Sequence, residues 1–208
     1  MKGYERYIEG VKSGKIVACE YIKLAVQRYE ELVARPDIYF DGPCVDEAIL
    51  FISNIKHFLG KSAGKHFILE DWQEFIVACL LGLKWVDDDC RVCRETYIQI
   101  ARKAGKDAFM AALSLYMMVV DGEASPEIAC LANSRDQARI LFDYITNFAK
   151  SIDPKGAAIK AYRNYVKCGA NNGTVKVFSA DASKLDGLNV SLAVIDEYHE
   201  AKDRKLYD

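Results

Sequence analysis

Two segments of the chain combine residue types able to work on a phosphate ester. The first, Ile100-Ala101-Arg102-Lys103-Ala104-Gly105-Lys106-Asp107, joins a β-prone run to a strongly apolar helical stretch. A glycine at a helix start lets backbone N–H groups approach phosphate oxygens. The helix N-terminus favours the anion, and a following lysine adds positive charge at the terminal phosphates. Gly105 and Lys106 stand where those roles fall. Two positions depart from the full phosphate-loop pattern. Ile100 replaces its first glycine, and Asp107 replaces the Ser or Thr whose hydroxyl reaches a magnesium ion. A carboxylate at that second position either ligates Mg²⁺ directly or repels the phosphates. The alternative for the segment is a plain helix start with Asp in the first turn and basic side chains in solvent.

The second segment is Leu192-Ala193-Val194-Ile195-Asp196-Glu197, an apolar run suited to a buried strand that ends in two carboxylates. In a parallel sheet, ligands sit at strand carboxyl ends. In an ATPase built this way the first acid helps hold Mg²⁺, and the second orients and deprotonates the attacking water. Asp196 and Glu197 take those roles in that order. The interval from Lys106 to Asp196 leaves room for the strand and helix units that such a core inserts between its two motifs. The alternative is a strand capped by solvated acids.

The elements that must position these residues alternate. After Glu95-Thr96-Tyr97-Ile98-Gln99-Ile100 come a helix from about Lys106 to Val119, the run Glu127 to Ala132, a helix from about Ser134 to Lys150, the run Thr174 to Phe178, and Val190 to Ile195. This order predicts an α/β fold with a mainly parallel sheet covered by helices. Residues 1–60 read as a helical N-terminal segment broken at Arg35-Pro36-Asp37 and Asp41-Gly42-Pro43, and the polar connector Lys61–Lys65 marks a seam near Gly60. The expected division is 1–60 helical and 61–208 nucleotide-binding core.

Composition bounds the function from outside. With 208 residues, 51% of them hydrophobic, the chain suffices for one globular domain and a modest extension. It has no apolar run long enough to span a membrane and no signal-like start, which predicts a cytosolic protein. The net charge of −2 supplies no global attraction to nucleic acid, so a DNA contact requires a local basic surface. Seven cysteines, an odd number, suit free thiols in a reducing compartment. Cys90 and Cys93 form the one CxxC, and without a second Cys or His pair at a suggestive spacing they read as a turn between strands. His57 and His66 suggest no metal site, and His199, beside the acidic pair, reads as a strand-end cap.

Taken in order, Ala101–Lys106, Asp121-Gly122-Glu123, Ala132-Asn133-Ser134-Arg135-Asp136-Gln137-Ala138, Leu185-Asp186-Gly187-Leu188-Asn189 and Asp196-Glu197-Tyr198-His199 resemble the large terminase subunits of tailed phages. The resemblance runs from roughly Phe67 to His199. It implies an ASCE-type P-loop ATPase that drives double-stranded DNA into a capsid, with ATP and Mg²⁺ as cofactors. The small terminase subunit and the portal protein are the implied partners, and the cytoplasm of an infected bacterium is the implied setting. It also implies that Leu69-Glu70-Asp71-Trp72-Gln73-Glu74-Phe75-Ile76 is the adenine-contacting segment, with Trp72 and Gln73 at the base. Arg102 is the implied γ-phosphate sensor, with Lys103 a second candidate. Arg102 to Asp107 thus form the phosphate turn, including Ala104. Glu197 is the catalytic acid beside Arg102, and Asp196 and Asp107 are the metal ligands.

Family members continue with a coupling motif and a metal-dependent nuclease domain, for which the residues after His199 leave no space. The expectation is therefore a core whose sheet is incomplete at its C-terminal side, without DNA-cutting activity and monomeric in isolation. Two other readings stay open. Asp196-Glu197-Tyr198-His199 also spells a DExH helicase motif, and substitution at Asp107 also suits a catalytically disabled nucleotide-binding or docking module.

Overall fold

The computed structural model describes residues 1–132, 134–179 and 189–198, which group into two compact units. The chain leaves the first unit after Ser53, returns at Ile68 and leaves it again after Gln99.

The first unit is mainly helical: α1 (Gly3–Lys12), α2 (Glu20–Val33), β1 (Ile38–Phe40), α3 (Gly42–Asn54), α4 (Asp71–Val77) and β2 (Leu83–Trp85). The breaker Asp41-Gly42-Pro43 is a helix start, since proline's fixed φ suits a first turn and the Cys44 N–H donates to Asp41 Oδ1 at 3.0 Å. The other Asp41 oxygen accepts from Lys84 Nζ at 2.7 Å, and β2 pairs antiparallel with β1. Rings of Tyr4, Tyr29, Phe40 and Phe75 pack edge to face or tilted beneath the helices. Gly82 permits the close approach of this cluster, because a Cβ there would overlap the Phe40 ring and stand 2.7 Å from Val45.

The second unit comprises Asn54–Phe67 and the described residues from Ile100 onward. Its elements are α5 (Lys106–Val119), β3 (Glu127–Ala132), α6 (Arg135–Ile152), β4 (Ile159–Ala161), β5 (Tyr165–Cys168), β6 (Thr174–Ser179) and β7 (Val190–Asp196). The strands lie in the order β4-β5-β6-β3-β7. The three expected strands pair in parallel, β6 and β7 flanking β3, while β4 and β5 extend the sheet antiparallel. The sheet is therefore parallel around the two motifs and mixed overall. Neither β4 nor β5 was signalled by the sequence. Strands of three and four residues interrupted by polar side chains carry too few alternations to register.

Glu95–Ile100 forms no strand, although its residues are β-prone. Propensity describes fit to a pleated surface and supplies no partner. Helix α5 is apolar on all sides, and an unbroken buried run from Ala108 to Met118 is interrupted only at Met110. Such a helix belongs in a core. Helix α6 is amphipathic and capped by Ser134, whose Oγ accepts from the Gln137 N–H at 3.2 Å. The connector Lys61–Lys65 folds back on the chain before it: the His57 N–H donates to Lys65 O, and the Phe67 N–H to Ile55 O.

An aromatic cluster of His57, Phe58, Phe67 and Tyr144 surrounds Phe148, which is fully buried on α6. Burial holds His57 below its ordinary pKa. Phe148→Ala removes the centre of this cluster and leaves a cavity. We expect it to cost about 3–5 kcal/mol, measured as a lower urea midpoint of the second unit; a cost under about 1 kcal/mol would show that the cluster is not a core.

Candidate active site

Helix α5 begins without a side-chain cap. Its N-cap, Gly105, has φ 82° and ψ 19°, a left-handed conformation costly to residues with a Cβ, and a Cβ there would meet nothing within 4 Å. The first N–H groups of the helix thus face open space, the arrangement in which a helix end accepts an anion. Lys103, two residues earlier, is also left-handed at φ 67°. Together they turn the exposed segment Ala101–Gly105 sharply into the helix.

Lys106 is the first helical residue, and its amine reaches the end of β7. Nζ lies 2.7 Å from Asp196 Oδ1 and donates to Glu197 Oε1 at 2.6 Å. Burial works against the charged amine, but the hydrogen bonds to Asp196 and Glu197 outweigh it, and the pKa of Lys106 is raised. Glu197 holds a left-handed φ of 50°, a strained conformation for a glutamate. That turn aims its carboxylate back at Lys106 instead of continuing the strand.

Asp107 follows on α5 and is half-buried. Burial first, then the charge of Asp196, pushes its carboxyl above its ordinary value; Glu197 adds to this and Lys106 opposes it. Tyr144 on α6 borders the same place, since its phenol is pushed up by burial and next by the Asp107 charge. No sequence motif marks Tyr144. Only the register of α6 on the sheet brings it there.

The structure therefore brings together Lys106, Asp107, Asp196 and Glu197, with Arg102, Lys103, Ala104 and Gly105 in the adjoining turn. Arg102 and Lys103 are exposed and make no ion pair among the described residues. Trp72 and Gln73 belong to α4 of the first unit. Gln73 is nearly inaccessible, and its Oε1 accepts from the Glu70 N–H at 2.9 Å in a capping box. His199 lies outside the described residues, as do Asn133 and Leu185–Leu188. All seven cysteines are free, and Cys90 and Cys93 follow the turn after β2.

No group of three or more His, Cys, Asp or Glu among the described residues forms a metal cage. That suits Mg²⁺, which takes one or two protein carboxylates and completes its shell with water and phosphate oxygens. The hard oxygen donors at the end of β7 fit such an ion.

A helix N-terminus opened by a left-handed glycine, a lysine in its first turn and two acids at a parallel strand's end define a P-loop nucleoside-triphosphatase core. The family model for the terminase large subunit, ATPase domain, matches residues 71–208, and the chain belongs to this family. That assignment takes the acidic pair out of the helicase class. The chain is 23% identical over 202 residues to the terminase large subunits of Lactococcus phages SK1 and p2, covering 93% of this chain and 37% of each relative. Its fold is similar to the crystal structure of the HK97 bacteriophage large terminase, with a TM-score of 0.63 and 22% identity. That likeness covers 76% of this chain and 32% of the other. The chain thus spans about a third of the length of the relatives it matches.

The raised pKa of Asp107 has a stability consequence. A carboxyl that holds its proton more tightly when folded costs stability once ionised, and this cost disappears as pH falls below the unfolded value near 3.8. Asp107→Asn should therefore raise the denaturation midpoint at pH 7, with the gain over wild type shrinking as pH falls through the raised folded value toward 3.8. Paired thermal melts across that range test this. A gain that persists unchanged below the unfolded value means ionisation of Asp107 is not its source.

Proposed function

We propose that this chain binds and hydrolyses ATP as the motor part of a phage terminase that packages double-stranded DNA. The observation that carries the reading is Lys106 joined at 2.6–2.7 Å to both Asp196 and Glu197, directly after a left-handed glycine. Residues 61–208 form the ATPase core in this reading, and residues 1–60 the helical segment before it.

Terminal phosphates of ATP lie over Gly105, held by the first N–H groups of α5 and by Lys106. Asp196, with Asp107 beside it, holds Mg²⁺, which supplies charge compensation for the phosphates. Lys106 exchanges its acidic partners for phosphate, and that exchange frees Glu197 to orient the attacking water and take its proton. Arg102 stabilises charge on the γ-phosphate, with Lys103 beside it, and Trp72 and Gln73 contact the base. Duplex DNA, a small terminase subunit and a portal protein are the partners in the host cytoplasm. No helix among the described residues is long and apolar enough to cross a membrane.

The test is titration with a non-hydrolysable ATP analogue, with and without Mg²⁺. Wild type should bind in a magnesium-dependent way. Lys106→Ala should lose about 1.5–3 kcal/mol of charge-assisted hydrogen bonding, or roughly ten- to hundredfold in affinity, with its fold intact by circular dichroism. Asp107→Thr should bind more tightly than wild type, because a hydroxyl replaces a carboxylate facing the phosphates. Absence of analogue binding in wild type and Asp107→Thr alike would sink the motor reading and leave a docking module.

A further inference from the structure

From Pro154 to Ala180 the sequence contains Lys155, Lys160, Arg163, Lys167 and Lys176 and no acidic residue, in a chain whose net charge is −2. The fold gathers these cations on one edge of the sheet. Lys160 on β4 and Lys167 on β5 are direct cross-strand partners, so both side chains leave the same face. The opposite face of the pair is buried through Ile159, Val166 and Cys168. Like charges placed opposite one another destabilise a hairpin. Neither lysine pairs with an acid among the described residues. Lys176, by contrast, is neutralised by Glu127 at 2.9 Å.

The hairpin tip adds the other half of a polyanion site. Tyr162 and Tyr165 stack with ring centroids 4.5 Å apart and planes at 13°, and Tyr162 stays 45% exposed. Arg163 at the tip and Arg139 on α6 both line a cleft of about 490 Å³ and make no ion pair among the described residues. Thr146 Oγ1 in the same cleft is shut from solvent without a hydrogen-bond partner. One acid, Asp143, faces the cleft, so positive charge prevails there.

We propose that the β4–β5 hairpin is a contact surface for the phosphate backbone of duplex DNA, with Lys160 and Lys167 on phosphates and Arg139 and Arg163 at the adjoining cleft. The partner's class as DNA rests on the packaging reading above; the surface itself rests on charge and geometry. An uncompensated lysine pair is a stability cost that an anion removes. The cations spread over a strand pair instead of converging on a point, which suits a repeating polyanion better than a single phosphate. The contact is sequence-independent and salt-dependent.

The experiment measures anisotropy of a labelled 20-base-pair duplex against the full chain, without nucleotide, over a range of salt. The variant Lys160→Thr/Lys167→Thr keeps strand propensity and removes the repulsion. Its melting temperature should equal or exceed that of wild type, so weaker binding cannot be put down to unfolding. Loss of two phosphate contacts lowers the slope of log affinity against log salt by about 1.8, so between about 50 and 200 mM salt the wild type loses roughly twelvefold more affinity than the variant. Unlabelled single strand of equal length and poly-glutamate should compete more weakly than duplex. An unchanged slope in the variant, no duplex binding by wild type at about 50 mM salt, or equal competition by poly-glutamate each overturns the proposal, the last in favour of an acidic protein partner. Lys106→Ala, assayed in parallel, should keep the wild-type DNA slope. Failure of the nucleotide site is then distinguishable from failure of the hairpin.

Discussion

One amine facing three carboxylates governs the second unit. Lys106 is partly withdrawn from water, where an unpaired charge is costly, and Asp196 and Glu197 offset that cost at 2.6–2.7 Å. The geometry demands that the first turn of α5 and the last residue of β7 meet at one point. A helix buried on nearly every side and a strand paired to the centre of the sheet can fix that meeting to the accuracy a short hydrogen bond requires. The left-handed turns at Gly105 and Glu197 are the local adjustments at each end. With Asp107 included, negative charge exceeds positive charge at the point of contact. A phosphate arriving alone would meet repulsion, which is the electrostatic reason the site calls for a divalent cation with its nucleotide.

The two halves of this arrangement were legible in the sequence for different reasons. Gly105-Lys106 and Asp196-Glu197 stand at junctions of strand and helix patterns, so local composition located them. The parallel strands β3, β6 and β7 were visible because each is an apolar run bounded by turn residues. Their adjacency was visible only as a class. That β3 lies between the other two is a matter of long-range pairing, which no local pattern encodes. Tyr144 escaped detection because its closeness to Asp107 depends on how α6 lies on the sheet. Gln73 shows the converse. Its type and place suggested a base contact, while its burial and its bond to the Glu70 N–H give it a capping role that the sequence pattern Glu70-x-x-Gln73 also fits. The two roles involve one side chain, and only the capping one is fixed by local geometry.

Average charge concealed the most polarised part of the surface. A net charge of −2 summed over 208 residues excludes a globally basic protein, yet it is compatible with an acid-free stretch that the fold concentrates on β4 and β5. The segment's strands are too short for periodicity, so its function class was as hidden as its structure. Electrostatic reading by window and structural reading by pairing register succeed here where composition fails, because only register sets Lys160 opposite Lys167.

The hairpin and the nucleotide site are parts of one ladder. Ala132 on β3 stands level with Ser179 on β6 and with Asp196 on β7, so these strands end along a common edge. Tyr165 pairs with Lys176, so the hairpin tip rises beside the last residues of β6 toward that edge. Three strand spacings separate β5 from β7, roughly 14 Å at the usual 4.8 Å. Across this distance the connection is backbone hydrogen bonding through β6 and β3, and β3 is buried along nearly its whole length. At the opposite end Glu127 ties the strands with side chains: it accepts from Lys176 on β6 and from the backbone N–H of Asn189, just before β7. The sheet is thus clamped at its amino-terminal end and carries its one exchangeable ion-pair cluster at its carboxyl end. When Lys106 gives up Asp196 and Glu197, the constraint released is the one tying α5 to β7, while the Glu127 clamp is untouched. Motion after that exchange is therefore confined to the carboxyl edge, the edge from which the basic hairpin projects.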